Sequence, residues 1–280
     1  MVKVSFILTV YNGEEMLSDA IESVLIQSFP DFELIATDDG STDNTFAILE
    51  HYAKTDRRII ALQNTSNIGV ANSLNRAIQH STGQYIARID HDDINIGTRL
   101  EQQIGFLDDN PDVGVVSCFV DPLFNLETDS ETRKGVIEFE RRRRELARDP
   151  EKIKMALRQS NVFHHGEVVY RKSLWDRVGG YRPELSMAED YDLWLRLSTY
   201  TNFHIIPQTL YLRRFNNANT TQIYSNMMWF ATKLAQECFE LREYGKQSDD
   251  EYARKQFLSY INDDEGLKHF SKYLEGGLVD

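Results

Sequence analysis

Short apolar runs alternate with amphipathic stretches through the first 120 positions of the chain. The runs are VSFILTV (4–10), FELIATD (32–38), RIIALQN (58–64), GQYIARID (83–90) and VGVVSCFV (113–120). Each is apolar with little alternation, the pattern expected of a strand buried on both faces. Between them lie EEMLSDAIESVLIQS (14–28), STDNTFAILEHYAK (41–54), GVANSLNRAIQHS (69–81) and TRLEQQIGFLDDN (98–110). In the first of these, Leu17, Ala20, Ile21, Val24 and Leu25 recur at helical spacing. Ser41 and Thr42 precede the second as candidate caps, and Asp43 adds a carboxylate near its positive end. Alternation of this kind predicts a parallel sheet with right-handed crossovers.

The pattern loosens after residue 120. DPLFNLETDSETRKG (121–135) is polar and without a clear period, and VIEFERRRRELARDPEKIKMALRQS (136–160) predicts one or two helices interrupted near Pro150. Arg141 to Arg144 read as a solvated helix face, with a site for an anionic acceptor or membrane headgroups as the sharper alternative. EVVYRKSLWDRVGGYRPE (167–184) predicts a strand, a short helix and a Gly-Gly turn. AEDYDLWLRLSTY (188–200) predicts a helix with Leu193, Trp194 and Leu197 as its buried stripe, and FHIIPQTLYLRRF (203–215) two strands around Pro207. From about 222 onward the chain is polar and helical, most amphipathic over MMWFATKLAQECFELREY (227–244). The expected organisation is an α/β part over 1–120, a further part of the same domain over 121–220, and a helical C-terminal extension over 221–280.

Composition narrows the class. With 280 residues, 41% of them hydrophobic, the chain suits one large globular domain with an appendage. No apolar run approaches the roughly 20 residues that span a bilayer. The start, MVKVSFILTVYNGEE, turns acidic at once and reads as a buried first strand rather than a signal peptide. Two distant cysteines, Cys118 and Cys238, suggest no disulfide framework, so a reducing cytoplasm is the expected location. The formal charge of −13 argues against nucleic acid as a partner. It leaves room for a phosphate-bearing ligand, because a local cation can invert the field.

Three polar clusters fall where strands of such a sheet should end: TVYNGE (9–14), TDDGSTD (37–43) and IDHDD (89–93). Ligands of open parallel sheets bind beyond those carboxyl ends, so the clusters should share one rim. Singly, DDGSTD is a good turn and helix start, and Tyr11 either roofs the sheet or stacks on a base. Asp90, Asp92 and Asp93 repel one another unless a cation relieves them, and hard oxygen ligands suit Mg or Mn. Neither a P-loop nor a GxGxxG follows the first strand, so phosphate would be held chiefly through the metal. EDYD (189–192) reads by itself as an acidic helix start.

Together, VSFILTVYNGEEMLSDAIESVLIQSFPDFELIATDDGSTDNT, NIGVANSLNRAI, GQYIARIDHDD and AEDYDLWLRL resemble the inverting family 2 glycosyltransferases of GT-A fold, over residues 2 to about 215. That resemblance implies a Rossmann-like, mostly parallel central sheet flanked by helices. It implies transfer of a sugar from a nucleotide-diphosphate donor, expected to be UDP-linked, to a glycan or lipid-linked glycan hydroxyl. Thr9, Tyr11 and Asp39 match positions that hold base and ribose. Asp90-His91-Asp92 occupies the DxD motif, with Asp92 matching the metal ligand and Asp90 lying nearer the ribose or sugar. Asp190 matches the catalytic base, with Glu189 beside it. Thr9 stands where the family often has proline. Without a QxxRW motif a single-addition enzyme is expected, working in the cytoplasm with peripheral contact at the inner membrane face.

Beyond those positions, Glu189, His165 and Arg213 are candidates for acceptor or diphosphate contact, with a structural hydrogen bond for the histidine and plain surface charge for the arginine as the alternatives. Since adjacent strand side chains face opposite ways, at most one of His164 and His165 should face the site. A nucleotidyltransferase making activated sugars is the alternative enzyme, although TVYNGEE lacks its glycine-rich basic signature. A sugar-binding module without catalysis is the third reading.

Overall fold

A computed structural model of the chain describes residues 2–215, 225–243, 251–253, 255, 256 and 259. Strand β1 (Val4–Val10) leads through helix α1 (Leu17–Leu25) to β2 (Phe32–Asp38), and α2 (Thr45–Thr55) leads on to β3 (Ile59–Gln63). Helix α3 (Val70–Gln79) precedes β4 (Tyr85–Asp90), a two-residue β5 (Ile94–Asn95), α4 (Arg99–Asp109) and β6 (Val113–Phe124). Two consecutive helices follow, α5 (Ser130–Leu146) and α6 (Pro150–Gln159). The remaining elements are β7 (Val169–Arg171), α7 (Lys172–Val178), α8 (Glu189–Leu197), β8 (Asn202–Phe215) and α9 (Ser225–Glu243).

The sheet runs β3-β2-β1-β4-β7-β6-β8-β5. Its first four strands are parallel, as expected from the alternation, and β6 and β8 are parallel too. Short β7 runs antiparallel between β4 and β6, and β5 closes the far edge antiparallel to β8. Side chains alternate between two apolar layers, as the pleat requires. Val4, Phe6 and Leu8 pack with Leu17 and Ile21 of α1 and Ile104 of α4. Ile7 and Ile35 pack on the other face with Leu74 and Ile78 of α3, in a layer that also takes in Trp194 of α8. Burial on both faces accounts for the unbroken apolar runs at β1 and β2.

Several expectations are corrected. Helix α1 begins at Leu17 rather than 14, and Leu25 packs only partly. Strand β3 is an edge strand, and only Ile59 of it is fully buried. Ser41 and Thr42 do not cap α2, because they bond to the loop after β1 instead. Strand β6 continues to Phe124 and α5 starts at Ser130, where Asp129 accepts from the backbone N–H of Glu131 and Thr132. The segment around Pro207 is one strand, with a register shift opposite Cys118/Phe119 that accommodates the proline. Helix α8 carries no single stripe. Tyr191 and Asp192 are buried along with Leu193 to Leu197, and Asp192 pairs with Arg182 and Arg196.

The four-arginine run is not one face. Arg141 pairs with Glu138 and Glu145, Arg142 with Glu138, and Arg144 with Asp121, 2.8 Å away. Arg143 turns inward and is 1% exposed. No member of the run is left as a bare cation for an anionic acceptor. Among the described residues no helix is long and apolar enough to cross a membrane.

Candidate active site

Strand register brings the three polar clusters to one rim. Thr9 lies opposite Thr37 of β2 and opposite Asp90 of β4. Two loops at this rim are sewn together. Asn12 Oδ1 accepts from the Thr42 N–H at 2.9 Å, the Asn12 N–H donates to Ser41 Oγ at 2.9 Å, and Glu14 Oε2 accepts from the Asn44 N–H at 2.9 Å. Asn12 reaches this geometry at φ 50°, a left-handed conformation that asparagine tolerates better than most residues. A Cβ on Gly13 would stand 2.5 Å from both His91 Cδ2 and Val10 Cγ2, so a larger residue there would have to displace those side chains. His91 therefore packs on the first loop.

Asp39 is the knot of the second loop. Its Oδ1 accepts from Asn64 Nδ2 at 2.7 Å and from the Ile68 N–H at 2.9 Å, and its Oδ2 from the Gly69 N–H at 3.0 Å. That fixes the approach to α3. Thr9 is nearly buried, with Arg88 reaching its Oγ1 at 3.5 Å. Tyr11 is partly exposed at the end of β1.

Members of the RIDHDD stretch take separate environments. Arg88, 3% exposed, donates to Asp90 Oδ1 at 2.8 Å. Burial acts upward on the Asp90 carboxyl, but the charge of Arg88, with Arg213 adding to it, outweighs burial and holds it below the ordinary range. Asp93 is committed to β8: its Oδ2 accepts from the Tyr211 hydroxyl and its Oδ1 from the Arg214 N–H, both at 2.8 Å. Burial, then Asp92 and Asp90, push the Asp93 carboxyl well up. Asp92 makes no hydrogen bond or ion pair among the described residues and is half-buried. Among those residues no group of three or more His, Cys, Asp and Glu converges to hold a metal by itself. A divalent ion here would rest on Asp92, ligand oxygens and water, which fits the habit of Mg and Mn.

The opposite wall comes from residues after 160. Asp190 opens α8, with Oδ2 accepting from Asn161 Nδ2 at 2.9 Å and Oδ1 from the Tyr191 N–H at 2.6 Å. Burial outweighs those two bonds and, with the nearby charge of Asp90, pushes its carboxyl up to about 6. Glu189 is pushed further, to about 8, by burial and then by Asp190, and its Oε2 is buried without a partner. Its Oε1 lies 3.9 Å from His165 Nδ1, while His165 Nε2 meets the Tyr181 hydroxyl at 2.8 Å. Burial and Arg88 depress His165 to about 3, so the ring is neutral. His164 and His165 sit in a turn rather than a strand, and both side chains are mostly covered. They separate by partner, His164 meeting Glu140 and Arg213. Arg213 stacks on Phe215 at 4.7 Å, and its charge acts on both Asp90 and Asp93.

The structure thus brings Thr9, Asp90, His165, Glu189, Asp190 and Arg213 into one electrostatic neighbourhood, with Asp92 beside it. Asp39 serves the α3 loop. Two residues escaped the sequence reading. Arg88 was legible as a lone charge inside an apolar strand, which calls for buried partners. Asn161 carried no signal at all.

Glycosyl transferase family 2 matches residues 5–179 of the chain. The chain belongs to this family. As a family 2 glycosyltransferase it is 38% identical to EpsE of Bacillus subtilis (strain 168), which bears a glycosyltransferase name, over 201 residues. That match takes in 69% of this chain and 66% of EpsE. It is 42% identical over 105 residues to the Escherichia coli protein named UDP-Glc:alpha-D-GlcNAc-diphosphoundecaprenol beta-1,3-glucosyltransferase WfgD, covering 37% of this chain and 40% of WfgD. Its fold superposes on S. aureus TarS 1-349, solved in complex with UDP-GlcNAc, with a TM-score of 0.66 at 17% identity, over 91% of this chain and 71% of that one. The GT-A architecture expected of this glycosyltransferase is the one it has.

Proposed function

We propose that this glycosyltransferase moves a sugar from a UDP-linked donor to a hydroxyl of a glycan or lipid-linked glycan, with inversion at the transferred carbon. One observation carries the reading: Asp190 is a partly buried carboxylate, oriented through both oxygens, raised to about 6, and within the field of Asp90 across the rim. A base near neutrality held in fixed geometry is what deprotonation of an attacking hydroxyl needs. In this step the acceptor oxygen bonds to the sugar C1 while the C1–O bond to the diphosphate breaks. The hydroxyl proton passes to Asp190.

Thr9 and Tyr11 hold the nucleoside, Tyr11 by stacking. Asp39 reaches it with the one acceptor site left over from its three loop bonds. Asp90, kept ionised by Arg88, takes ribose or sugar hydroxyls. Asp92 is the carboxylate for Mn or Mg, which when bound offsets charge on the departing diphosphate. Arg213 adds a fixed positive charge facing the same phosphates, and Glu189 and His165 line the acceptor side. The UDP donor is supported by the names of WfgD and of the TarS complex, and the lipid-linked acceptor by the name of WfgD. Division of the chain at about 120 and 220 stays as part of this proposal, with the donor side before 120 and the acceptor side between 121 and 220.

Nucleotide release from UDP-, GDP- and dTDP-sugars, with and without Mn and a lipid-linked glycan acceptor, tests the reading. Release that needs a UDP-sugar, the metal and the acceptor together supports it. Release indifferent to acceptor and metal would overturn it.

A further inference from the structure

Arg213 has one hydrogen-bond partner among the described residues, His164, whose Nδ1 lies 2.8 Å from a guanidinium nitrogen. A guanidinium cannot accept, so Nδ1 is the bare nitrogen and the ring proton sits on Nε2. Nε2 meets Glu140 Oε1 at 2.6 Å. The second oxygen of Glu140 accepts from Arg143 at 2.9 Å. Arg143 is held in turn by the Val162 carbonyl, Ser117 Oγ and the Cys118 carbonyl, each at 2.9 Å, and by Glu167. A polar chain therefore runs from the buried side of α5 to the rim, with every proton direction determined. Phe139 leans on the His164 ring at 5.0 Å, and Phe215 lies under the Arg213 guanidinium.

The depth of this chain sets it apart from surface pairing. Glu140 is 5% exposed and Arg143 1%. Burial, together with Arg213 and Arg143, keeps the basicity of His164 well down, so the ring stays a neutral bridge between carboxylate and guanidinium. Arg213 pairs with no carboxylate within ion-pair distance among the described residues, which leaves its other N–H groups for an anion. A free arginine side chain carries about 2 kcal/mol of rotamer entropy. Fixing it before the ligand arrives removes that cost from binding.

We propose that Glu140 and His164 are positioning residues that hold the Arg213 guanidinium toward the donor's diphosphate; this rests on the diphosphate contact assigned to Arg213 above. Neither touches the ligand, and Glu140 acts only through His164.

The test is a double-mutant cycle read by calorimetry. The ligands are whichever of UDP, GDP and dTDP binds the unaltered chain, and the matching nucleoside as a control without phosphates. Arg213→Ala should weaken the nucleotide about tenfold and leave the nucleoside unchanged. Glu140→Gln should weaken the nucleotide about fivefold alone and by nothing further in the Arg213→Ala background. Equal losses in both backgrounds, an equal loss for the nucleoside, or no loss from Glu140→Gln would each overturn the positioning role while leaving the Arg213 contact standing. Unchanged nucleotide affinity in Arg213→Ala would overturn both. Should Glu140→Gln fail to fold, His164→Asn runs the same cycle without disturbing the Glu140–Arg143 pair, and the same outcomes decide.

Discussion

Glu189 and Asp190 are neighbours in sequence with opposite preferred states near neutral pH. Glu189, raised to about 8, keeps its proton, while Asp190, raised to about 6, has lost it. With the negative charge on Asp190, the proposed transfer should be present above pH 6 and fall as pH drops through about 6, visible as the acidic limb of kcat/KM. A limb near 4 would remove Asp190 from the role of base. Asp190→Asn should lower kcat by about 100-fold or more while nucleotide affinity holds, since a general base contributes on that order. Asp92→Ala should erase the effect of Mn on nucleotide affinity, measured by titration with and without the ion. At this scale the sequence spoke through carboxylates. Asp90, Asp92 and Asp190 stood out because crowded or helix-starting acids carry a cost that invites explanation. Asn161 did not, since an asparagine in a loop is ordinary until its partner across 29 residues is known.

Between residues and the fold stand the elements, and here the second half of the chain resisted reading. Strands β1 to β4 are buried on both faces, and their apolar runs say so directly, apart from the exposed edge at β3. Strand β8 is half-exposed and carries Pro207 in its middle, so the pattern suggested two strands where a register shift permits one. Helix α8 looked amphipathic with charges outward, yet Asp192 and Arg196 pair with each other inside. Buried ion pairs defeat hydropathy patterns because the pattern assumes that charge means solvent. The turn at Gly166 shows how closely these elements approach. A Cβ there would run into the Tyr211 hydroxyl and come within 2.9 Å of Asp90 Oδ2. Gly166→Ala should lower stability by about 1–3 kcal/mol, as overpacking does. It should also displace Tyr211 from Asp93. Denaturant unfolding and nucleotide affinity, measured on one sample, should both report the change.

For the molecule as a whole, charge of both signs is buried among the described residues, and arginines are prominent in it. Arg88, Arg99, Arg143 and Arg196 are all 3% exposed or less. Removing one partner of such a buried pair typically costs about 3–5 kcal/mol, because the remaining charge stays unpaired. Arg143→Ala should accordingly drop the thermal midpoint steeply, whereas Arg142→Ala, on the solvent side of the same helix, should leave it where it is. Similar melting of the two variants would contradict the inward placement of Arg143. The contrast was invisible in the string RRRR, whose four members differ only in which way one helical turn points them.

The bonds that Asp93 accepts from Tyr211 and from Arg214 reach across 118 and 121 residues. A ribosome delivers Asp93 well before it delivers either partner. Through that interval the emerging chain carries its acidic turn without the strand that orders it. At about 5–20 residues per second the wait lasts on the order of ten seconds. Competence to hold a nucleotide would then arrive as a late step of biosynthesis, switched on when β8 slots in beside β6.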